Sequence, residues 1–297
     1  LDNIEHLLGK VNDRDRIHLV YADLNDQTSL RNALIRSKPD YVFHLAAQSY
    51  PRTSFDSPID TYNTNILGTA RLLEEIRSQD LDPWVHVCAS SEVFGRVSED
   101  KLPIDEECSF HPASPYAISK VGTDLVGRFH AEAYNQKIIT TRMFTHTGPR
   151  RGDVFAESTF AKQIAMIEEG QIEPEIKVGN LDSLRTYSDV RDAVRAYHMM
   201  LTVEPEIGAY YNIGGSHVCK ISDVLNTLLD KSTKKNISIQ IDPERIRPID
   251  ADLQIPDTTK FTKKTGWEPE ISFDQTMTDL LDYWREKVSK GKMYLTR

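Results

Sequence analysis

The chain has 297 residues, of which 39% are hydrophobic and 27% charged, and its net charge at pH 7 is −9. This length suits one large domain or two modest ones, and the composition is that of an ordinary globular protein. The acidic balance argues against a general nucleic-acid-binding protein, and no apolar run is long enough to cross a membrane. The three cysteines are unclustered, so we expect neither a disulfide framework nor a metal knuckle, and we expect a cytoplasmic location.

The first half of the chain alternates predicted strands with predicted helices. Strands are predicted over 16–23, 40–47, 84–90 and 138–144, and helices over 28–37, 63–78 and 116–134. The continuous apolar runs at 40–47 and 84–90 are typical of strands that are buried on both faces of a parallel sheet. The alternation predicts an α/β fold with a doubly wound, Rossmann-like sheet, in which ligands bind beyond the carboxyl ends of the strands.

After about residue 150 the alternation becomes less regular. Helices are predicted over 155–169, from 190 onward, and over 221–230 and 273–288, with strands over 176–178 and 209–213. We interpret residues 1–150 as a cofactor-binding domain. Residues 151–297 are then mainly a smaller substrate-binding lobe, some segments of which return to the sheet domain.

The start of the sequence has no Gly-rich turn of the kind that binds phosphate. A dinucleotide-binding sheet normally opens with a strand, a Gly-rich turn and a helix whose N-terminus holds the pyrophosphate. No G-x-G-x-x-G or G-x-x-G-x-x-G pattern lies before residue 40. Either the protein has lost this loop or the sequence is a fragment that begins partway through the unit. We favour the fragment, because the other expected motifs are intact.

Tyr116 and Lys120 lie four residues apart on a predicted helix, so their side chains share one face. A nearby ammonium favours the phenolate, and we therefore expect Lys120 to lower the pKa of Tyr116. Ser90 and Glu92 follow the strand predicted over 84–90, at the edge of the sheet where ligands bind. This set of residues indicates redox and elimination chemistry at neighbouring carbons of a sugar.

Several ordered motifs resemble the extended short-chain dehydrogenase/reductase family. They are Asp23-Leu24, Leu45-Ala-Ala-Gln48, Ser90-Ser-Glu-Val-Phe-Gly95 and Pro112-x-Ser-Pro-Tyr116-x-x-x-Lys120. Within that family, Gly148-Pro-Arg-Arg-Gly152, the run over 178–185 and Arg247-Pro248 resemble the GDP-mannose 4,6-dehydratases. They resemble the GDP-4-keto-6-deoxy-mannose reductases almost as closely. The resemblance covers nearly the whole chain.

The resemblance implies an NADP-dependent lyase, with NAD as the alternative cofactor. It implies a nucleotide-diphosphate sugar as substrate, with a GDP-sugar favoured, and a homodimer or homotetramer that binds neither nucleic acid nor membrane. The implied catalytic residues are Ser90, Glu92, Tyr116 and Lys120. The implied cofactor contacts are Asp23, Leu24, Leu45, Ala46, Ala47, Gln48, Tyr116 and Lys120. The implied substrate contacts are Thr145, Arg151, Arg185 and Arg247, and no metal site is expected.

Two positions differ from the usual dehydratase pattern. Thr145 stands where the dehydratases usually have Asn before His146, and Ser158-Thr159 replaces a basic pair.

The favoured mechanism oxidises C4 of the sugar, eliminates water across C5 and C6, and returns the hydride to C6. Tyr116 would take the C4 hydroxyl proton and Ser90 would hold the same oxygen. Glu92 would remove the C5 proton and protonate the departing C6 hydroxyl. The alternatives are a 4-keto-sugar reductase, an epimerase that uses the same Tyr/Lys pair, and a non-catalytic nucleotide-sugar-binding protein. Glu92 favours the dehydratase, because a simple reduction needs no base at C5.

Overall fold

Four parallel strands in the order β1–β2–β3–β7 form the central sheet of the structure, a computed structural model that describes residues 2–11, 16–246 and 253–291. The strands are β1 Tyr41–His44, β2 Trp84–Cys88, β3 Ile138–Met143, β4 His146–Thr147, β5 Glu175–Val178, β6 Leu184–Asp189, β7 Tyr210–Ile213, β8 His217–Lys220, β9 Ser238–Ile241 and β10 Leu253–Gln254. The α-helices are α1 Gln27–Ser37, α2 Pro51–Asp56, α3 Pro58–Tyr62, α4 Gly68–Ser78, α5 Pro115–Tyr134, α6 Ala156–Glu168, α7 Val190–Thr202, α8 Ile221–Asp230, α9 Thr259–Thr265 and α10 Phe273–Ser289.

Apolar clusters lie on both faces of the central sheet, which confirms the doubly wound α/β prediction. On one face, side chains of α1, α4 and α5 pack against Val85, Val87 and Ile138. On the other face, side chains of α7 and α9 pack against Ile139 and Ile213. Because helices cover both faces, the ligand-binding groups are confined to the edge at the carboxyl ends of the strands.

The prediction of a strand over 16–23 is wrong, because the described residues of this region form only an isolated bridge between Val11 and Ile17. A strand needs a neighbour to form its ladder, and the described residues provide none here. The prediction that 40–47 is buried on both faces also fails, because β1 is an edge strand. Its residues Tyr41 and Phe43 are 47% and 41% exposed, and the following Leu45 is 53% exposed.

The other predicted elements of the first half are confirmed within a few residues. The helix predicted from 63 begins with a π-helical turn over Asn63–Leu67 and continues as α4. The short helices α2 and α3 precede it and were not predicted. α5 begins at Pro115, and the hydroxyl of the N-cap residue Ser114 accepts a hydrogen bond from the Ala117 backbone at 3.0 Å. This cap places Tyr116 in the first turn of the helix, at the carboxyl edge of the sheet.

The second half of the chain forms a core of its own around α6, α8 and α10. Its buried side chains include Ile164, Leu225, Leu228, Leu281 and Trp284. Small sheets flank this core: β5 pairs with β9, and β6 pairs with β4, β8 and β10. β7 pairs with β3 and so belongs to the central sheet. The domain boundary at residue 150 stays a prediction.

Among the residues that the structure describes, no helix combines the length and the apolar character that a membrane span requires.

Candidate active site

A cleft of about 750 Å³ lies between the carboxyl edge of the central sheet and the second half of the chain. Its walls include the residues that follow β2, the first turns of α5, and parts of α6, β5 and β6. The predicted catalytic residues Ser90, Glu92, Tyr116 and Lys120 all line it. The fold therefore brings together in space the four residues that the sequence placed on two separate elements.

Tyr116 is buried at the floor of the cleft, and its hydroxyl is within hydrogen-bonding reach of Ser90. Burial raises the pKa of Tyr116 above its usual value, the Ser90 side chain opposes this rise, and the nearby Glu92 carboxylate adds to it. In this structure Tyr116 is therefore a neutral phenol. The predicted lowering of its pKa by Lys120 is not seen.

Lys120 points toward the end of β2, where its ammonium donates a 2.7 Å hydrogen bond to the Cys88 carbonyl. The Nζ atom lies 5.9 Å from the centre of the Tyr116 ring, and among the described residues its hydrogen bond goes to Cys88 and not to the phenol. Burial also lowers the pKa of Lys120, because the low-polarity surroundings disfavour its charge. These two facts explain why the ammonium does not offset the effect of burial on Tyr116.

Glu92 is held by a short 3₁₀ turn over Ser91–Val93, whose N-cap is Ser90. The Ser90 hydroxyl accepts a hydrogen bond from the Glu92 backbone at 3.2 Å. The turn closes at Gly95, whose N–H donates to the Glu92 carbonyl at 3.1 Å. Gly95 has φ +54°, and a Cβ there would lie 1.9 Å from the His111 carbonyl oxygen, so only glycine fits. The turn fixes Ser90 and Glu92 in the same wall as Tyr116.

The two buried histidines of the central sheet support the floor of the cleft. His86 Nε2 lies 2.7 Å from the Thr141 hydroxyl, and His44 Nε2 lies 2.9 Å from the Thr69 hydroxyl. Burial lowers the pKa of His86 to about 3 and that of His44 to about 4, so both are neutral near pH 7. Both are therefore hydrogen-bonded residues of the core.

The predicted cofactor residues divide into two groups. Leu45 and Ala47 line the cleft, whereas Asp23, Leu24, Ala46 and Gln48 do not. The Asp23 carboxylate accepts a 2.8 Å hydrogen bond from the Asn25 backbone, and Leu24 packs against α4 at Gly68.

Gln48 instead belongs to a network beside the cleft. Its backbone N–H and C=O both bond the Asn65 amide, and Asn65 also donates to the Ser119 hydroxyl on α5 at 2.8 Å. Through this network Gln48 ties the segment after β1 to the helix that carries Tyr116. A direct contact of Gln48 with cofactor stays a prediction.

Three of the predicted substrate residues line the far part of the cleft: Thr145, Arg151 and Arg185. The fourth, Arg247, lies outside the described residues. The guanidinium carbon of Arg151 stacks 3.5 Å from the centre of the Phe155 ring, and its Nε lies 3.4 Å from Glu157 Oε1. Arg151 is thus turned into the cleft, where it also counteracts the effect of burial on the pKa of Tyr116.

Several residues in the far part of the cleft, on the side formed by α6, β5 and β6 that we call the far wall, were not predicted from the sequence. Lys177, Arg245, Glu157 and Tyr187 all line the cleft. Lys177 lies on β5, and Arg245 lies in a 3₁₀ turn that follows β9. Glu157 had a signal, because it directly precedes the Ser158-Thr159 pair that departs from the dehydratase pattern. The described residues contain no group of three or more His, Cys, Asp or Glu side chains that could hold a metal ion.

Comparison with known proteins identifies the family. The family model described as GDP-mannose 4,6 dehydratase matches residues 1–280. A GDP-6-deoxy-D-mannose reductase of Pseudomonas aeruginosa is 32% identical over 250 residues, which cover 84% of this chain and 82% of that protein. A GDP-mannose 4,6-dehydratase of Vibrio cholerae is 30% identical over 291 residues, which cover 89% of this chain and 77% of that protein.

Solved structures have the same fold. RMD from Pseudomonas aeruginosa, complexed with NADPH, matches with a TM-score of 0.85 and 29% identity, covering 96% of this chain and 95% of that one. The dTDP-glucose 4,6-dehydratase DesIV from Streptomyces venezuelae also matches with a TM-score of 0.85, at 23% identity, covering 95% of this chain and 84% of that one.

Proposed function

Because the chain belongs to the GDP-mannose 4,6-dehydratase family, within the extended short-chain dehydrogenases/reductases, we propose that it is a nucleotide-sugar 4,6-dehydratase. Its substrate is GDP-mannose or a close GDP-sugar, and its product is the 4-keto-6-deoxy sugar. The observation that carries this proposal is the position of Glu92, which shares a wall with Ser90 and Tyr116. A base for C5 is therefore available beside the group that deprotonates the C4 hydroxyl.

A nicotinamide cofactor fits the floor of the cleft. Tyr116 and Lys120 would hold it from α5, and the apolar side chains of Leu45 and Ala47 would cover its other side. When bound, the cofactor accepts a hydride from the sugar and gives it back, so no net oxidation results. We propose NADP, because RMD from Pseudomonas aeruginosa was solved with NADPH. NAD is the alternative, and titration of the protein with each cofactor separates the two.

Tyr116 acts as the proton acceptor for the C4 hydroxyl, and Ser90 holds that oxygen in line. Since burial raises the pKa of Tyr116, a positive charge must favour the phenolate for this transfer to proceed at neutral pH. Lys120 lies four residues further along the same helix, whose first turn is fixed by the Ser114 cap, and its ammonium bonds the Cys88 carbonyl. We propose that Lys120 supplies this charge during the transfer, together with Arg151, which already opposes the effect of burial on the Tyr116 pKa.

Glu92 then moves two protons. As a carboxylate it removes the C5 proton, which the adjacent C4 ketone makes acidic, and as a carboxylic acid it protonates the departing C6 hydroxyl. The two tasks suit one residue, because the proton gained in the first step is the proton given in the second. The 3₁₀ turn closed by Gly95 keeps Glu92 on the same wall of the cleft as Ser90 and Tyr116 during both steps.

The far part of the cleft supplies positive charge for the diphosphate. Arg151, Arg185, Lys177 and Arg245 lie around it, and a guanidinium can bind a phosphate through two parallel hydrogen bonds. We propose that these residues hold the nucleotide end of the substrate.

A 4-keto-sugar reductase is the second candidate, because the Pseudomonas aeruginosa GDP-6-deoxy-D-mannose reductase covers most of the chain at 32% identity. The two functions separate in two parallel incubations of the full-length protein, one with GDP-mannose and a catalytic amount of NADP⁺ and one with the GDP-4-keto-6-deoxy sugar and NADPH. For a dehydratase, mass spectrometry detects a product that has lost one water, with no net reduction of the cofactor. For a reductase, GDP-mannose stays unchanged, and the 4-keto sugar is reduced with stoichiometric oxidation of NADPH.

A further inference from the structure

Glu157 is a buried carboxylate in the far wall of the cleft, and its Oε1 accepts no hydrogen bond from the described residues. It lies in the first turn of α6 and is 5% exposed. Its Oε1 has no hydrogen-bond partner among the residues that the structure describes, and neither has the Arg151 Nε atom 3.4 Å away. The two groups attract each other by charge but do not form an aligned hydrogen bond.

Tyr187 on β6 lines the same wall and also carries a polar atom without a hydrogen-bond partner among the described residues. It is 4% exposed, and within the described part of the chain its hydroxyl has no hydrogen-bond partner. Burial raises the pKa of Tyr187, and the nearby Glu157 carboxylate raises it further. The hydroxyl is therefore neutral and able to donate as well as accept. An acceptor and a donor without partners thus both belong to the lining of the cleft.

The segment around Glu157 is fixed on its other side. The Ser158 hydroxyl donates to the Arg151 carbonyl at 2.7 Å and accepts from Trp284 Nε1 at 2.8 Å. Lys162 pairs with Asp153 at 2.6 Å. These bonds hold the neighbours of Glu157 in place. Leaving a buried polar group without a partner is unfavourable, so such a group points to a ligand that completes it.

We propose that Glu157 and Tyr187 form a subsite for a hydroxyl group of the substrate sugar. The hydroxyl donates to the Glu157 carboxylate and accepts a hydrogen bond from the Tyr187 phenol. The carboxylate repels phosphate, so Arg151 beside it takes the phosphate while Glu157 takes the neutral hydroxyl. The proposal rests on the nucleotide-sugar function proposed above and names which part of that substrate the far wall recognises.

The hexose is the favoured source of this hydroxyl. Glu157 and Tyr187 line the same cleft as the catalytic tyrosine, Tyr116. The hexose must reach that tyrosine for reaction at C4. The ribose of the nucleotide offers the same chemistry, and the experiment below distinguishes the two.

The test compares binding of GDP-mannose and of GDP to the full-length protein and to Glu157→Gln, Tyr187→Phe and the double variant, by calorimetry. Loss of a charge-assisted hydrogen bond predicts a roughly ten- to hundredfold weaker Kd for GDP-mannose in Glu157→Gln, and a smaller loss in Tyr187→Phe. Because both residues bind one hydroxyl, the loss in the double variant should be less than the product of the single losses. Glu169→Gln is the control, since Glu169 is exposed just beyond the end of α6.

The measured affinities distinguish a hexose subsite from a ribose subsite and from a purely structural role of Glu157. Unchanged GDP binding with weaker GDP-mannose binding supports the hexose, whereas equal weakening of both assigns the subsite to the ribose. Unchanged affinities together with a lower melting temperature of Glu157→Gln would overturn the proposal, because they would show a purely structural carboxylate. If the unmodified protein binds GDP but no GDP-sugar, the proposed function itself fails.

Discussion

The two walls of the cleft differ in whether their polar side chains have hydrogen-bond partners within the protein. On the catalytic wall, formed by the end of β2 and by α5, two of the polar side chains have partners within the protein. Lys120 bonds the Cys88 carbonyl, and the Ser90 hydroxyl accepts a backbone hydrogen bond. On the far wall, formed by α6 and β6, Glu157 and Tyr187 carry polar atoms that no described residue satisfies.

This difference indicates a division of tasks. Groups that have internal partners are held in place before substrate arrives, which is what proton transfer requires. Groups without partners gain their hydrogen bonds only when substrate binds, which suits recognition. We therefore expect substitutions on the catalytic wall to lower kcat, and substitutions on the far wall to raise KM.

The largest expected effect is that of Tyr116→Phe. Removal of the proton acceptor should lower kcat by about 10²- to 10⁴-fold, the usual range for a general acid–base group, with little change in KM. Steady-state kinetics checks this, with Tyr134→Phe at the other end of α5 as the control. A large rise in KM at constant kcat would place Tyr116 in substrate binding and would remove the contrast between the walls.

Glu92→Gln should lower formation of the dehydrated product by about 10²-fold, because the amide can neither remove the C5 proton nor protonate the C6 hydroxyl. Oxidation at C4 should persist, so mass spectrometry would detect a 4-keto sugar that has lost two hydrogens but no water. Exchange of the C5 hydrogen with deuterium from solvent should also stop. The exposed Glu99 provides the control Glu99→Gln, and full product formation by Glu92→Gln would remove Glu92 from the mechanism.

Lys120→Met should lower kcat at neutral pH by roughly 10- to 100-fold. Burial raises the pKa of Tyr116, and a base works only when deprotonated, so kcat/KM should rise with pH through the neutral range. If Lys120 supplies positive charge during the transfer, as proposed, its loss should move the rise to higher pH. The pH–rate profiles check this, with the exposed Lys101→Met as control. Identical profiles for the variant and the unmodified protein would contradict the charge role.

The catalytic wall could be predicted from the sequence, because each of its parts depends on local spacing. A tyrosine and a lysine four residues apart share a helix face wherever the helix lies. Ser90 and Glu92 follow a buried apolar run whose end must reach the edge of the sheet. Only the predicted lowering of the Tyr116 pKa by Lys120 was wrong. The extent to which Tyr116 is buried and the bond from Lys120 to Cys88 depend on packing, which local spacing does not encode.

The far wall could not be predicted in the same way, because its residues come from distant segments. Glu157 on α6 and Tyr187 on β6 come to line one cleft only through tertiary packing, and no spacing in the sequence encodes that arrangement. The strand predicted over 16–23 failed for a related reason. Its apolar residues suit a strand, but the formation of a ladder depends on a neighbour that a single segment cannot specify.

The smallest expected effect is on stability and concerns the hydrogen bonds of Glu168, which anchor α6 in the far wall. Glu168, at the end of α6, accepts hydrogen bonds from Arg285 at 2.7 and 2.8 Å and from the Thr233 backbone at 2.8 Å. Burial alone would raise the pKa of Glu168, but these partners lower it to about 2. A carboxylate with a lowered pKa stabilises the fold above its ordinary pKa and ceases to do so as the pH falls toward 2.

Glu168→Gln should therefore lower the free energy of unfolding by about 1–2 kcal/mol at pH 7, and this difference should shrink as the pH falls from 5 to 2. Chemical denaturation at several pH values measures it. Because the anchor acts on the helix that carries Glu157, KM should change more than kcat. A lower kcat at constant KM would show that the two walls are mechanically coupled and do not divide recognition from chemistry.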